Sequence, residues 1–323
     1  MLNLSAKHRR AKLINNFLTK TKAGLYCARG DFYIDPQRSV ARSLVSHAHA
    51  DHSVPTTGLV YCTKPTIAFL RHRYASRTMP QFHEVTFGRS FNMNDIEITF
   101  YSAGHILGSA QILMVHNGIR YLYTGDFKIQ SDDSCEPFEF IKCDHLITET
   151  TFASPDYIHP DPVEEIRSLA NENLNVVIGA YAIGKAQRIT RMISENFPRA
   201  SIFVHPELQP FHRIYENHGI SLGGWLPYRR DDFRNNGTSF CIVPPAYFRR
   251  FAGRNNSLRV FATGWKRSYY TCDRVLRISD HSDWPGLLQL IEKSQAGMVH
   301  TVHGDGKHLK NFFKGKLEVN VLG

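Results

Sequence analysis

The sequence predicts an α/β protein in which one domain is inserted into another, and the order of its apolar patterns carries that prediction. From residue 25 to about 150, short apolar runs alternate with turns, as in a strand-rich domain. After Glu149, helical and extended patterns alternate, and a strand, loop, helix and strand pattern rich in His and Asp then returns. The expected segments are a first part over 1–152, an inserted domain over 153–270 and a return segment over 271–323.

The first segment predicts short strands and one clear helix. The stretches FYID, RSLVSH, LVYCT, IEITFYSA and HLITET read as strands. Two longer runs meet at HNGI, where Asn117 and Gly118 predict a tight hairpin turn. The stretch KPTIAFLRHRYA predicts a helix with Pro65 in its first turn. The basic residues before Asp31 predict a further, solvent-exposed helix at the N-terminus.

The middle segment predicts helices and strands in turn. DPVEEIRSLANEN, GKAQRITRMISENF and LQPFHRIYENHG have helical periodicity, whereas VVIGAY, SIFVHP and SFCIVPP are short apolar runs typical of buried strands. Alternation of this kind favours a parallel sheet covered by helices.

Charge and cysteine content limit the function and location of the chain. Lys and Arg number 39 against 29 Asp and Glu, a net charge of +10, so the electric field attracts polyanions and nucleic acid is a candidate partner. A basic protein without such a partner explains the charge equally well. No apolar run reaches the ~18 residues of a membrane span. The six cysteines form no C-x-x-C pair and follow no secretory segment, which favours reduced thiols in the cytoplasm.

The stretch VSHAHADHSVP, which follows the apolar SLV, contains a dense group of potential metal ligands. His47 and His49 can face one way on an extended segment, while Asp51 and His52 lie beyond the strand end and can turn toward a second ion. Imidazole nitrogen and carboxylate oxygen suit zinc. The alternative is a polar surface turn.

Two more candidates follow predicted strands. His105 comes after IEITF with Gly104 permitting a tight turn, and Asp126 follows YLYT beside Gly125. Either residue alone is equally well explained by an ordinary turn. Their shared placement at strand ends favours metal ligation.

These motifs resemble those of the metallo-β-lactamase fold, in which Asp35 corresponds to the first acidic motif. ITETTF with Glu149, ISDHSD with His281 and TVHGD with His303 resemble the additional motifs of the β-CASP nucleases, a group that includes the mRNA 3'-end processing endonuclease, ribonuclease J and Artemis. GLYCARGDFYIDP, AGHILGSAQI and SDHSDWPGLL resemble most closely the bacterial ligase-associated DNA exonucleases. The resemblance covers almost the whole chain except residues 1–23.

The resemblance implies a fold and a metal centre. The fold is a metallo-β-lactamase αββα sandwich with an inserted α/β β-CASP cap, and the substrate lies in the cleft between them. The cofactors are two Zn²⁺ ions, with Mn²⁺ as an alternative. The implied ligands are His47, His49 and His105 for one ion, Asp51, His52 and His303 for the other, and Asp126 as the bridge.

The resemblance also implies catalytic and supporting roles. His281 protonates the departing oxygen, or neutralises phosphate charge, and Glu149 holds its other nitrogen; Asp51 and Asp126 complete the catalytic set. Asp35 accepts a hydrogen bond from a ligand imidazole without touching metal, although Asp35 alone is equally well explained as a strand-end turn residue before Pro36. His281 also lies where Ser282 or Asp283 caps a predicted helix, so that a structural role is compatible with the catalytic one.

Two stretches of the inserted domain are candidates for substrate contact. In YAIGKAQRI, Gly184 and Lys185 stand at a strand-to-helix junction, where free N–H groups and a cation can hold a phosphate, although many helix starts have this composition. In GWKRSYY, Lys266 and Arg267 lie among aromatic residues, a mixture typical of single-strand binding. Core aromatics with a solvated cationic face are the alternative.

The sequence therefore predicts a zinc-dependent phosphodiesterase acting on nucleic acid. The longest matching stretches favour a DNA exonuclease that works with a DNA ligase and a helicase in repair. His303 favours instead the RNA-cleaving branch, so an RNA-processing endonuclease or exonuclease is the main alternative. A small-molecule metallo-hydrolase is the second alternative, and an inactive scaffold is the third.

Overall fold

The computed structural model of the protein describes residues 13–14, 17–55, 58–170, 175–235, 239–251 and 257–322. It divides into two compact units. The first unit is drawn from Met1–Ser131, Glu136–Ile158 and His281–Gly323, and the second from Asp132–Cys135 and His159–Asp280. The predicted domain limits at residues 152 and 270 stay predictions.

The first unit contains two sheets, and the first of them is built from seven of the described strands in sequence order. Pairing is antiparallel from β1 to β4 and parallel from β4 to β7. The strands are β1 (Leu13–Ile14), β2 (Leu18–Thr21), β3 (Gly24–Cys27), β4 (Phe32–Ile34), β5 (Arg42–Leu44), β6 (Leu59–Thr63) and β7 (Gln81–Val85).

The predicted N-terminal helix is wrong where the structure describes it, because β1 and β2 occupy that stretch. Phe17 and Leu18 are 4% and 0% exposed, so burial of these two side chains in the core decides the conformation. Residues 1–12 and 15–16 of that prediction lie outside the described residues.

The second sheet of this unit also has seven described strands, in the order β20-β19-β12-β11-β10-β9-β8. The predicted hairpin is confirmed: His116 pairs with Ile119, and Asn117 and Gly118 have φ of 50° and 77°. The strands are β8 (Phe91–Met93), β9 (Ile96–Ser102), β10 (Ala110–His116), β11 (Ile119–Tyr123), β12 (His145–Glu149), β19 (Met298–Val302) and β20 (Glu318–Val321).

The two sheets face each other across one hydrophobic core, to which Ile34 and Phe32 contribute from the first sheet and Phe100 and Ile112 from the second. The outer face of the second sheet packs against α7 (Trp284–Ser294) through residues such as Leu122. Helix α1 (Lys64–Arg73) packs on β6 and β7 of the first sheet. This arrangement is the αββα sandwich, and it confirms the predicted fold class.

Both predicted helix starts in this unit are confirmed by their caps. The Thr63 hydroxyl accepts a hydrogen bond from the Thr66 N–H at the start of α1, where Pro65 also lies. The Asp283 carboxylate accepts one from Gly286 N–H at the start of α7. The unit also contains α8 (Lys307–Phe312).

The second unit is built on a parallel sheet of six described strands in the order β15-β14-β16-β13-β17-β18. Helices connect the strands from β13 to β17, which confirms the predicted α/β alternation. The strands are β13 (Asn175–Gly179), β14 (Ser201–Val204), β15 (Trp225–Pro227), β16 (Ser239–Val243), β17 (Ser257–Ala262) and β18 (Arg274–Leu276). The helices are α2 (Pro162–Arg167), α3 (Lys185–Asn196), α4 (Gln209–Asn217), α5 (Arg230–Asn235) and α6 (Pro245–Phe248), with 3₁₀ turns at Pro206–Leu208 and Arg249–Phe251.

Both faces of this sheet are covered, which explains the continuous apolar runs in its strands. Ile178 of β13 packs in a core with Ile189 of α3, whereas its neighbour Val177 packs in a second core with Phe248. Side chains alternate between faces along a strand, so a strand buried on both sides needs apolar residues at every position.

The first turn of α3 carries a buried ionic cluster. Arg188 is 2% exposed, and its guanidinium lies 3.1 Å from a carboxylate oxygen of Asp132 and 3.5 Å from one of Asp280. It also donates a hydrogen bond of 2.6 Å to the carbonyl of Ser279. The Lys185 ammonium lies 3.4 Å from the other oxygen of Asp280. Arg188 therefore joins the short segment Asp132–Cys135 to the end of the second unit.

All six cysteines are free thiols. No helix in the described part of the chain combines the length and apolar character needed to cross a membrane.

We predict that Arg188→Met lowers the free energy of unfolding by about 3 kcal/mol, since removing one partner leaves buried carboxylates without their cation. Arg191→Met is the matched control on the same helix, because Arg191 pairs with the more exposed Glu195 and Asp133 and its loss should cost about 1 kcal/mol or less. Urea unfolding followed by circular dichroism measures both. Equal shifts in the two variants would contradict the role given to the cluster.

Candidate metal centre

The candidate metal ligands of the first unit all follow strands of its two sheets. The HAHADH stretch follows β5, His105 follows β9, Asp126 follows β11 and His303 follows β19. Glu149 is the last residue of β12, and His281 lies just before α7. Polar side chains gather at these strand ends, outside the apolar core that holds the sheets together.

Three imidazoles form the centre of the group. The ring centroids of His47, His49 and His105 lie 4.8 Å apart in every pair. The Nε2 atom of His105 is 3.0 Å from Nδ1 of His49. With an oxygen of Asp126, one donor atom from each of these residues lies within 4.8 Å of the others, so the set could hold a metal ion.

Asp126 is shared by three such groups. Its oxygens lie 3.5 Å from Nε2 of His47, 3.8 Å from Nε2 of His105 and 3.3 Å from Nε2 of His52. The second group is Asp51, His52 and Asp126, and the third is Asp126, Glu149 and His281. This placement suits the bridging role predicted for Asp126.

The charge state of Asp126 is set by its neighbours. Burial raises the pKa of this carboxyl, but the positive potentials of His52 and His281 outweigh burial and hold the pKa well below its usual range. Burial lowers the pKa of His105 well below its ordinary value, with the other histidines adding to the effect. An ionised carboxylate beside a neutral imidazole is the donor set that zinc binds.

The structure brings the predicted ligands of the second ion together less completely. The Asp51 side chain is 70% exposed, with one oxygen 3.8 Å from Nε2 of His52. The ring centroid of His303 lies 4.6 Å from that of His52, but His303 belongs to none of the convergent groups found among the described residues. Its role as a ligand stays a prediction.

Asp35 holds the HAHADH segment in place from a buried position. Its carboxylate accepts hydrogen bonds from Ser46 N–H at 2.7 Å, the Ser46 hydroxyl at 2.5 Å and the Tyr123 hydroxyl at 2.9 Å. The Nδ1 atom of His52 lies 2.7 Å from the same carboxylate. Burial raises the pKa of Asp35, but His52 and His47 lower it below its usual range, so the anion is stable here.

Sequence reasoning missed Ser46 and Tyr123. The hydroxyl oxygen of Ser46 also lies 3.0 Å from Nδ1 of His47, so Ser46 contacts both Asp35 and a candidate metal ligand. The signal for Tyr123 was weak: it alternates with Tyr121 in YLYTGD, and strand alternation alone does not say which partner a hydroxyl meets.

Two buried ring nitrogens support metal binding. The Nε2 atoms of His47 and His52 are inaccessible to solvent and make no hydrogen bond within the described part of the chain. Buried polar atoms ordinarily have partners, so two such nitrogens beside one ionised carboxylate fit a cation as the missing partner. The residues present therefore fit the metal that the motifs imply.

His281 is held by an acidic partner, as the sequence predicts. Its Nδ1 atom lies 2.9 Å from both oxygens of Glu149, and its Nε2 atom is 4.0 Å from Asp126. Glu149 is 3% exposed and accepts further hydrogen bonds from Phe127 N–H at 2.9 Å and the Thr151 hydroxyl at 2.5 Å. The His281 side chain remains 23% exposed, so a bound substrate can reach it.

Three residues at or beside the candidate metal centre have a backbone with positive φ. Gly104 has φ of 65°, and a Cβ there would lie 2.3 Å from the carbonyl oxygen of Lys128, so only glycine fits before His105. Asp35 and His303 adopt φ of 42° and 50° without being glycine. Such conformations cost free energy and are concentrated at functional sites.

In the second unit, the residues predicted to contact substrate have different environments. Gly184 N–H donates to the Gln187 side chain at 2.8 Å, and Lys185 is 4% exposed beside Asp280. Lys266 and Arg267 are exposed, as are Trp265 at 39% and Tyr269 at 92%. Both substrate-binding assignments stay predictions.

We predict that Asp35→Asn weakens Zn²⁺ binding about 10-fold to 100-fold, the usual loss when the hydrogen-bond partner of a ligand imidazole is changed. Asp126→Ala should weaken it more, since that variant removes a ligand. Asp95→Asn, whose carboxylate is 55% exposed beside His116, is the control and should bind as the wild type does. Competition with a chromophoric chelator measures the affinities; unchanged binding by Asp35→Asn would contradict the supporting role.

The chain is similar to nucleases and to part of a ligase. A probable DNA ligase of Opitutus terrae is 32% identical over 305 residues, which are 88% of this chain and 29% of that protein. The endoribonuclease ysh1 of Aspergillus fumigatus is 32% identical over 158 residues, covering 46% of this chain and 17% of that protein. An RNase J-like protein of Methanocaldococcus jannaschii is 31% identical over 185 residues, covering 49% of this chain and 44% of that protein. The chain thus spans less than half the length of each of these relatives.

The fold is also found in a solved structure, a protein of unknown function from Enterococcus faecalis V583. The TM-score is 0.59 at 14% identity, covering 86% of this chain and 78% of that one. No family model matches the chain. The relatives, the motifs and the two facing sheets together show that the chain belongs to the β-CASP family of the metallo-β-lactamase fold.

Proposed function

We propose that the protein is a metal-dependent nuclease that hydrolyses phosphodiester bonds of DNA. The observation that carries this proposal is the convergence of His47, His49, His105 and Asp126 next to the His281–Glu149 pair. The first four residues would hold a cation and His281 would supply a proton, and phosphodiester hydrolysis uses both.

The proposed cofactors are two Zn²⁺ ions, with Mn²⁺ as the alternative, and the ligands are those that the motifs imply. When bound, the ions supply Lewis-acid stabilisation of phosphate charge and activation of the attacking water. Asp35 and Ser46 orient the ligand imidazoles of His52 and His47 through their Nδ1 atoms, which leaves the Nε2 atoms for metal.

His281 is proposed to donate the proton that the leaving oxygen needs. Glu149 accepts the proton on Nδ1 in a hydrogen bond, so the proton that an imidazolium can donate is the one on Nε2, the side of the ring that faces Asp126. In the reaction water first gives up a proton to the solvent, and the oxygen of the resulting hydroxide forms a bond to phosphorus. The ester P–O bond breaks, and the departing oxygen takes the Nε2 proton. Glu149 itself is fixed by Phe127 and Thr151.

DNA is proposed over RNA because of the extent of the similarity. The probable DNA ligase matches 88% of this chain, whereas the endoribonuclease and the RNase J-like protein match 46% and 49%. We further propose an exonuclease that acts in repair with a DNA ligase and a helicase, as the sequence motifs imply, and a cytoplasmic location, which the predicted reduced thiols favour. RNA processing remains the alternative.

The net charge of +10 and one exposed segment support a nucleic acid substrate. Trp265, Lys266, Arg267 and Tyr269 are exposed together in the second unit and combine cations with aromatic rings. Bases stack on such rings without regard to sequence. We propose this segment as a strand-binding surface.

We predict that the Zn²⁺-loaded or Mn²⁺-loaded protein shortens end-labelled DNA one nucleotide at a time and cleaves matched RNA more slowly. Single-stranded and double-stranded oligonucleotides of one sequence, labelled at either end, show which polymer is cleaved, whether cleavage is internal or from an end, and from which end it proceeds. Asp126→Ala, purified identically, controls for a contaminating nuclease. Faster cleavage of RNA would overturn the choice of DNA, and internal cuts would overturn the exonuclease mode.

We predict that His281→Ala lowers kcat about 10²-fold to 10⁴-fold, the range for loss of a general acid, while metal content stays that of the wild type. His308→Ala, an exposed histidine of α8, is the control and should retain full activity. Single-turnover cleavage with metal analysis of the same samples measures both. Cleavage by His281→Ala at the wild-type rate would rule out the proton-donor role.

A further inference from the structure

A cavity of about 330 Å³ lies inside the first unit, beside the candidate metal centre. The hairpin of β2 and β3 forms one side, through Lys20, Lys22 and Gly24. Asp51 and His303 form the end nearest the centre. No step of the proposed reaction uses this space.

The walls of the cavity are largely apolar and its edge is cationic. Leu25, Ile34 and Val302 line it together with Tyr123, whose hydroxyl is already engaged by Asp35. These surfaces suit a flat heterocyclic base, because its transfer from water onto apolar or aromatic groups is favourable in free energy. The cavity is therefore better matched to a base and sugar than to an anion alone.

The edge of the cavity provides positive charge for phosphate. Lys20 and Lys22 are both exposed on the hairpin that borders it. Lys20 donates a hydrogen bond of 2.8 Å to the carbonyl of Leu322, which fixes its position. Lysine ammonium groups at such a position bind phosphate oxygens.

The volume limits the occupant to a small unit. Cavities that bind small molecules measure about 300 to 1,000 Å³, and this one lies at the lower end of that range. It has room for a single nucleotide and not for a stacked run of bases. Because Asp51 and His303 are also candidate metal ligands, a nucleotide in this cavity lies next to the candidate metal centre.

We infer that this cavity is a binding subsite for one nucleotide of the substrate strand, the nucleotide adjacent to the phosphate that is cleaved. This inference rests on the proposed nuclease function and adds to it a site that recognises a nucleoside monophosphate unit. The base packs on Leu25, Ile34 and Val302, and Lys22 contacts its phosphate.

The test is Lys22→Glu, with Lys314→Glu as the matched control. Lys314 is an exposed lysine of the same unit that does not line the cavity, so both variants make the same change in net charge. We expect Lys22→Glu to raise KM for a single-stranded oligonucleotide about tenfold, as loss of one charged contact does, and Lys314→Glu to leave KM within about twofold of the wild type.

Inhibition by small ligands separates a nucleotide site from an anion site. Deoxyadenosine monophosphate should inhibit competitively, more strongly than inorganic phosphate or deoxyadenosine, and Lys22→Glu should weaken its inhibition about tenfold. Equal inhibition by phosphate and nucleotide, or equal effects of the two glutamate variants, would overturn the inference. Direct calorimetric titration with deoxyadenosine monophosphate needs no turnover. If the wild type cleaves no nucleic acid, the proposed function fails, while this titration still shows whether the cavity binds a nucleotide.

Discussion

The buried carboxylate of Asp126 is the charge on which the candidate site depends. A buried anion is costly unless cations or hydrogen-bond donors compensate it. Here the compensation comes from imidazoles: the carboxylate raises the pKa of His52 well above its ordinary value against the opposing effect of burial. A metal ion bound at this place would displace that proton, so metal binding and protonation compete for the same carboxylate.

Asp35 makes this arrangement possible because it joins three strands. It follows β4, and its partners Ser46 and Tyr123 come from the segment after β5 and from β11 of the facing sheet. The contact therefore ties the HAHADH segment to both layers of the sandwich. Ligands supplied by separate strand ends keep their relative positions only if the sheets do, and a buried hydrogen-bonded carboxylate between the sheets provides that constraint.

Much of the site could be predicted from sequence, because metal ligands require particular residue types at strand ends. His47, His49, His105 and Asp126 were found in this way, and the structure brings them together. Ser46 and Tyr123 could not be found, since serine and tyrosine are common and their role comes only from proximity in space. The N-terminal strand was misread as a helix because a charged composition says little about where Leu18 is buried.

The environment of Lys185 shows where a local pattern is insufficient. A Gly-Lys pair at a strand-to-helix junction suggests a phosphate site, yet Gly184 N–H donates to Gln187 and the Lys185 ammonium lies 3.4 Å from the buried Asp280. To bind phosphate, Lys185 would have to share or leave that carboxylate, and separating a buried ion pair costs several kcal/mol. Lys266 and Arg267 are exposed to solvent, where exchanging one charged contact for another costs only about 1 kcal/mol or less. Within the second unit, this difference in free-energy cost favours the segment from Trp265 to Tyr269, rather than the start of α3, as the surface that binds a nucleic acid strand.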